Sequence, residues 1–263
     1  MEQSSVDAAP PPLGTASLSA GFAQPSRKVD WKDGYTTRDP YPLAIALREA
    51  KEKGSFAASK EIVGACIQAL IAIGGPPNRH SSTQDAQDPQ LQARLQAKQE
   101  IEVRCSRFSG QDVHSLNFPL PGDHYGERFQ QALAALNDGA GMKREIEALM
   151  EVVGQGVVPS RAMLSTVIEA RTWRGESWRD RREDFDTALN LAIRLATTSP
   201  TEGGSDIRDL TSCYFGARCG SGGLRTGLQY FPADRRVAVE ALVVDMQKAL
   251  QSGDLEPFLQ VKK

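Results

Sequence analysis

Apolar residues recur along this chain at spacings of three and four, the period of amphipathic helices, and sustained strand-like alternation is absent. The first run follows Asp39-Pro40-Tyr41-Pro42, where prolines fit a first helical turn whose amide groups need no partner inside the helix. Leu43, Ala46, Leu47 and Ala50 carry it to Gly54. A second run takes Ser55 as N-cap and passes through Phe56, Ile62, Val63, Cys66, Ala69, Leu70 and Ile73 to Gly74-Gly75. Together they read as a helical hairpin.

The polar stretch 74–87, GGPPNRHSSTQDAQ, interrupts the pattern; Asp88-Pro89 restart it, with Leu91, Leu95, Cys105 and Phe108 marking an interrupted apolar face. Beyond a second loop, 110–123, amphipathic segments cover 125–137, 142–153, 159–170, 184–197, 205–217 and 232–251. The last but one takes Ser205 as its N-cap. The pattern predicts an all-α fold of about nine helices, stacked as helical hairpins in the manner of a short solenoid. Residues 1–36 read as a disordered linker or tether and 37–263 as the helical domain, with a sub-boundary at 109–123.

Gly154-Gln155-Gly156-Val157-Val158-Pro159-Ser160-Arg161-Ala162 resembles the inter-helix turn of tetratricopeptide-like repeats, and equally a pentatricopeptide junction in which a GV-x-P turn separates two helices. The resemblance spans about 30 residues, with a degenerate echo at 39–70, and implies helical-hairpin geometry. Pentatricopeptide tracts read RNA through several successive repeats, which a single turn does not supply. At the other end, CYFGARC and VAVEALVVDMQKALQSGDLEPF resemble the close of uncharacterised exported proteins of proteobacteria. That likeness implies a helical, cysteine-paired protein outside the cytosol.

Composition narrows the classes. A chain of 263 residues is long enough to fold on its apolar core, so disulfides are not needed merely to make it fold. Its 31 basic and 33 acidic side chains give a net charge of −2 and no long-range field for polyanions, so nucleic acid is not an expected partner. The longest apolar run, 65–73, falls short of the roughly 20 residues of a membrane span and reads as a core helix. The start of the chain lacks the basic and apolar segments of a signal peptide. The Ala/Pro/Ser bias of 1–26 resembles the tether that follows a cleaved leader, or a lipid anchor carried on a leader absent from this sequence.

The four cysteines permit three pairings, and the expected one joins Cys66 to Cys105 and Cys213 to Cys219. In a continuous helix, positions six apart lie about 9 Å apart along the axis, whereas a disulfide needs Cα atoms within about 4.4–6.8 Å. The second pair therefore closes only if the helix breaks, and Gly216 is placed to break it. For the first pair, the loop at 74–87 supplies the offset between its helices. Zinc would want a second close ligand pair, and His80, His114 and His124 lie in or beside loops, so no metal and no cofactor are expected. Oxidised pairs imply a periplasmic or secreted protein; free thiols would imply a cytoplasmic one.

Two constellations carry candidate chemistry. In RTWRGESWRDRREDFD, 171–186, Trp173 and Trp178 interleave with Arg174, Arg179 and Arg182, a combination that binds phosphates, bases or sugars. The same window balances five arginines with five carboxylates, the composition of internal ion pairing beside tryptophans that cover neighbouring helices. His114, Asp123 and His124 surround a proline-rich loop, where a histidine near a carboxylate serves as general base, although no nucleophile motif accompanies them. The leading expectation is an exported, non-enzymatic helical protein of interaction or scaffolding type with an unknown protein partner. The alternatives are a hydrolase using a carboxylate with His114 or His124, and an RNA-associated helical-repeat protein.

Overall fold

The computed structural model describes residues 31–74, 90–110, 113–168, 171–198, 205–217, 219–220, 228 and 231–259. Most of the expected tether, most of the loop at 74–87 and the Asp88-Pro89 helix start lie outside them. The fold is all-α: among the described residues there are eleven α-helices and one short β-hairpin. In chain order they are α1 (Pro40–Ala50), α2 (Ser55–Gly74), α3 (Leu91–Cys105), α4 (Val113–Leu116), α5 (His124–Asn137) and α6 (Met142–Gly154). There follow α7 (Arg161–Val167), β1 (Thr172–Trp173), β2 (Glu176–Ser177), α8 (Arg182–Ala196), α9 (Ile207–Tyr214), α10 (Ala233–Ser252) and α11 (Glu256–Leu259).

Consecutive helices pair as hairpins in α1/α2 and α5/α6, while α3 packs on α9 and α8 on α10 across long stretches of chain. At the α1–α2 turn Gly54 has φ 79°, and a Cβ there would meet the Gln155 carbonyl oxygen at 2.1 Å, so only glycine lets this turn press on the one after α6. Side-chain caps set several helix starts: Asp39 accepts from the Tyr41 amide at 3.2 Å, Asp123 from Gly126 at 2.9 Å, and Ser160 from Met163 at 3.3 Å. Two expected caps differ. Ser55 is the first helical residue, its hydroxyl donating to the Glu52 carbonyl, and Asp206 rather than Ser205 caps α9, accepting from the Arg208 amide at 2.8 Å.

Two apolar cores result. One gathers α5 to α8, α10 and α11 around Phe129, Leu149, Leu164, Phe185, Met246 and Phe258. The other gathers α1 to α4 and α9 around Ile62, Val63, Ile101, Phe108, Leu116 and Ile207. Helix α2 belongs to both, giving Phe56 and Ala57 to the first core and Ile62, Val63, Cys66, Ala69 and Ile73 to the second. It is 20 residues long and apolar enough to cross a membrane by composition, yet these buried positions make it a core helix.

The domain limits differ from those expected. Trp31–Tyr35 forms a 3-10 turn with Tyr35 buried, and a Cβ on Gly34 would fall 2.4 Å from Ile62 Cδ1, so residues 31–36 belong to the fold and not to a tether. Nor does 109–123 divide two units, because α9, far downstream, completes the core built by α1 to α4.

Both expected disulfides form, and no described cysteine is free. Cys66–Cys105 ties the middle of α2 to the last residue of α3, with Cα atoms 5.2 Å apart. Helix α9 ends at Tyr214, Gly216 adopts φ 109°, and the chain turns back far enough to bring Cys219 Cα within 4.7 Å of Cys213. Two buried arginines of α3 seize the two ends of α9. Arg94 donates to the carbonyls of Cys213, Gly216 (3.2 Å) and Ala217 (3.1 Å), while Arg104 donates to Ser205 just ahead of the helix (2.6 Å). The carbonyls at the end of α9 and just beyond it are thus met by a cation, which the helix dipole also favours at this end. Helix α9 accordingly runs antiparallel to α3.

Closing a 39-residue separation predicts a contribution of about 4 kcal/mol for Cys66–Cys105, against about 2 kcal/mol for the 6-residue separation of Cys213–Cys219. Urea denaturation of the two double Cys→Ser variants is expected to show that order. Arg94→Met, which removes the side-chain donor from the carbonyls of Gly216 and Ala217, is expected to cost about 2 kcal/mol in the same assay.

Candidate functional site

The tryptophans of the 171–186 segment point inward. Trp173 is 5% exposed, packs edge-on against Phe258 at 4.7 Å between ring centroids, and donates from Nε1 to Asp245 at 2.9 Å. Trp178 is 8% exposed, with the Arg181 guanidinium 4.6 Å from its ring centroid. Arg174 forms a bidentate pair with Asp245, at 2.8 and 3.0 Å, and Arg182 lies 3.5 Å from Asp186. Arg179 is exposed in a 3-10 turn. The expected binding surface therefore lacks its aromatic half: both rings complete the core, and the arginines named with them, Arg179 apart, are engaged with carboxylates. The local device is the hairpin β1–β2, whose turn residues Arg174 and Gly175 have φ 49° and 76°.

The histidines do not assemble a site. His114 lies exposed on the short helix α4, and His124 opens α5 with its ring Nδ1 3.9 Å from Glu127. Asp123, expected beside them as a catalytic carboxylate, is buried as the α5 cap. His80 lies outside the described residues. No group of three metal-ligating side chains converges among the described residues.

A different place does combine polar chemistry with room for a ligand. A cavity of about 480 Å³ opens where the two cores meet, and both contribute walls: Tyr35 and Ala69 from one, Phe129 and Val158 from the other. Helix α2 supplies Lys60, Glu61, Gly64 and Gln68, which share a face because they lie one or two turns apart. Leu133 of α5, Met163 of α7 and Ile193 of α8 face them, and Arg208 and Thr211 of α9 close one side. The volume lies within the range of small-molecule sites.

The charges here are arranged around one buried phenol. The Tyr35 hydroxyl donates to the Glu61 carboxylate, and the Arg208 guanidinium lies 3.9 Å over the Tyr35 ring. Arg208 is fixed by its neighbour Asp206 through Nε to Oδ1 at 3.0 Å and Nη2 to Oδ2 at 2.5 Å, which keeps it charged despite burial. Lys60 Nζ donates to the Asn117 carbonyl at 3.4 Å. Burial pushes the Glu61 carboxyl up, and the nearby Arg208, Lys60 and Tyr35 offset only part of that. Burial pushes the Lys60 ammonium down, with Glu61 opposing it, and raises the Tyr35 phenol further out of reach.

Sequence reasoning missed this site because its residues are scattered through 35–211 and belong to no spacing motif. Two signals were nevertheless legible: a Lys-Glu pair inside the most apolar helix, and a glycine at position 64 in that helix interior.

Elsewhere the buried carboxylate of Asp184 behaves in the opposite way. Burial would raise it, but hydrogen bonds from Arg235 and Arg181 win and hold it below the usual range, joining α8 to α10. Asp184 is thus a structural ion, stabilised by its neighbours, whereas Glu61 is held against its own preference.

A carboxyl whose folded-state value lies above its unfolded value, about 4.3, binds its proton more tightly in the folded chain. Stability therefore falls as pH rises through the window between those two values, and the loss is complete above the folded value. Glu61→Gln keeps the Tyr35 hydrogen-bond acceptor and removes the cost. The variant is expected to melt above the wild type near neutral pH, with the gap closing below about pH 4, as read by circular dichroism.

No family model matches this chain, and no curated protein and no solved structure matches it at a significant level, so its function rests on the geometry above.

Proposed function

We propose that this chain is an exported helical protein of the interaction class, working in the periplasm or beyond it, that holds a recessed site for another molecule between its two cores. The observation that carries the reading is the pairing of all four cysteines in bridges that brace the helices around that recess: Cys66 lies in α2 and Cys213 in α9, both of which line it. Cytosolic reductants keep such thiols open, so a fold braced in this way suits an oxidising compartment. A binding role is supported by the cavity itself, open between rigid helices and lined by apolar walls with a few converging polar groups.

One observation favours a second reading, an enzyme of acid–base type. Glu61 is a carboxyl raised by burial and hydrogen-bonded to Tyr35 beside a cavity, the environment of a general acid. On that reading the carboxylate of the expected hydrolase is Glu61, and His114 and His124 have no part in it. The RNA-associated reading loses its stacking platform with Trp173 and Trp178 buried.

Export is tested by alkylating the protein in denaturant without reductant, directly from cells, and counting modified cysteines by mass. The expected count is zero, with the protein recovered outside the cytosolic fraction; four alkylated cysteines in a cytosolic protein would overturn the proposal.

A further inference from the structure

We propose that the cavity between the two cores binds a small ligand with an α-ammonium group, a neighbouring carbonyl or carboxylate oxygen and a hydrocarbon side chain: an apolar amino acid, free or at the amino end of a short peptide. The inference rests on the interaction reading above and names the chemistry of what is held.

Helix α2 supplies the polar wall of the cavity. Lys60 and Glu61 are adjacent in sequence and both reach the same void, so one wall presents a cation and a carboxyl side by side. Neither is used up within the protein. Lys60 gives one of its three donors to the Asn117 carbonyl, at a stretched 3.4 Å, and Glu61 uses one acceptor for the Tyr35 hydroxyl, although a carboxylate offers about four. Arg208, by contrast, is committed to Asp206 and to the Tyr35 ring, and acts as the fixed frame that positions the phenol.

A guest that met only the cation would leave the remaining acceptors of Glu61 unmatched, and a guest that met only the carboxyl would leave the remaining donors of Lys60 unmatched. Burial of either unpaired charge is costly. A ligand with a donor and an acceptor on neighbouring atoms meets both at once. Its ammonium would donate to Glu61 and its carbonyl oxygen would accept from Lys60. The apolar part of the wall defines the remainder of the ligand, because Phe129, Leu133, Val158, Met163 and Ile193 offer hydrocarbon, while Arg161, also on the wall, lies 3.4 Å from the carboxylate of Asp186.

Gly64 supplies an independent observation. It lies one turn beyond Lys60 on the same face and lines the cavity, and a Cβ placed on it would meet nothing within 4 Å. Glycine is among the poorest residues for a helix interior, and no neighbour demands it here. Its lack of a side chain leaves floor space beside the two polar groups, where a guest's main-chain atoms would lie.

The test is isothermal titration of the purified, oxidised full chain with L-leucine, the dipeptide Leu-Gly, N-acetyl-leucine, isoamylamine and glycine. Leucine or Leu-Gly is expected to bind at one site per chain, and whichever binds tighter identifies the free or the peptide form as the source. Loss of the ammonium in N-acetyl-leucine, of the oxygen acceptor in isoamylamine, or of the hydrocarbon in glycine is each expected to weaken binding at least about tenfold. Gly64→Leu, which fills the cavity with hydrocarbon, is expected to weaken leucine binding at least about tenfold while melting at or above the wild type. Glu61→Gln is expected to weaken leucine and leave binding of N-acetyl-leucine unchanged.

Silence of leucine and Leu-Gly at millimolar concentration would overturn the inference, as would binding insensitive to Gly64→Leu in a variant that melts like the wild type. Equal binding of N-acetyl-leucine would overturn the ammonium assignment. Because the thiol count is measured separately, paired cysteines with no amino-acid binding would sink this inference alone, and free cysteines would sink the export reading alone.

Discussion

Helix α2 has to serve two cores at once, and the rest of the molecule follows from how it does so. Its first turn buries Phe56, which meets Phe129 edge-on with ring centroids 6.1 Å apart, and its remaining length buries Ile62, Val63, Cys66, Ala69 and Ile73 among α1, α3, α4 and α9. Where α2 passes from one core to the other, the two sets of packed side chains leave a gap. The changeover falls at residues 59–61. Ser59 is sealed there by its hydroxyl, which donates to the Ala44 carbonyl at 2.7 Å, and Lys60 and Glu61 point into the gap that remains. The cavity is therefore the seam of the fold, and Lys60 and Glu61 occupy the stretch of α2 between the positions buried in the first core and those buried in the second.

The far wall of that seam is kept in place by α3 acting through α9. Helix α9 has eight residues, too few to be stable alone, and its position depends on what holds its ends. Arg104 receives the carbonyl just before it and Arg94 the carbonyls just after it, while the disulfide from Cys213 folds the following residues back toward α3. Arg208 and Thr211 reach the cavity from this clamped helix. The bridge thus braces the end of a helix whose Arg208 and Thr211 form one wall of the recess.

Helix periodicity made most of the fold legible. The nine amphipathic segments correspond to α1 to α3 and α5 to α10, because each carries its own apolar face and a glycine, proline or capping residue at its limits. The break at Gly216 was readable for a covalent reason, since two cysteines six apart cannot bond within an unbroken helix. Short elements were not legible. Helices α4 and α11 are single turns, and β1 and β2 have two residues each, so no period can be established; only the Arg174-Gly175 turn marked the hairpin. Long-range pairing was hidden as well. Arg94 and Arg104 look like surface residues of a polar helix, and nothing local says that α9 will return to bury them. The site shares that origin, being assembled from residues whose only relation is tertiary.

Within the seam, stability and function pull in different directions. Asp184 shows what a buried carboxylate looks like when the fold is built around it, with two guanidinium groups in contact. Glu61 has a phenol and the more distant influence of two cations, and it sits beside a void. On the reading proposed above, such unfavourable placement suits a group kept for what it binds. The most direct measurement is a carbon-13 NMR titration of the Glu61 side-chain carboxyl in the oxidised full chain. A midpoint clearly above the ordinary glutamate value of about 4.3 is the result this account requires. A midpoint at or below that value would show a solvated or fully paired carboxylate, and would contradict the view of the seam as a poised binding site.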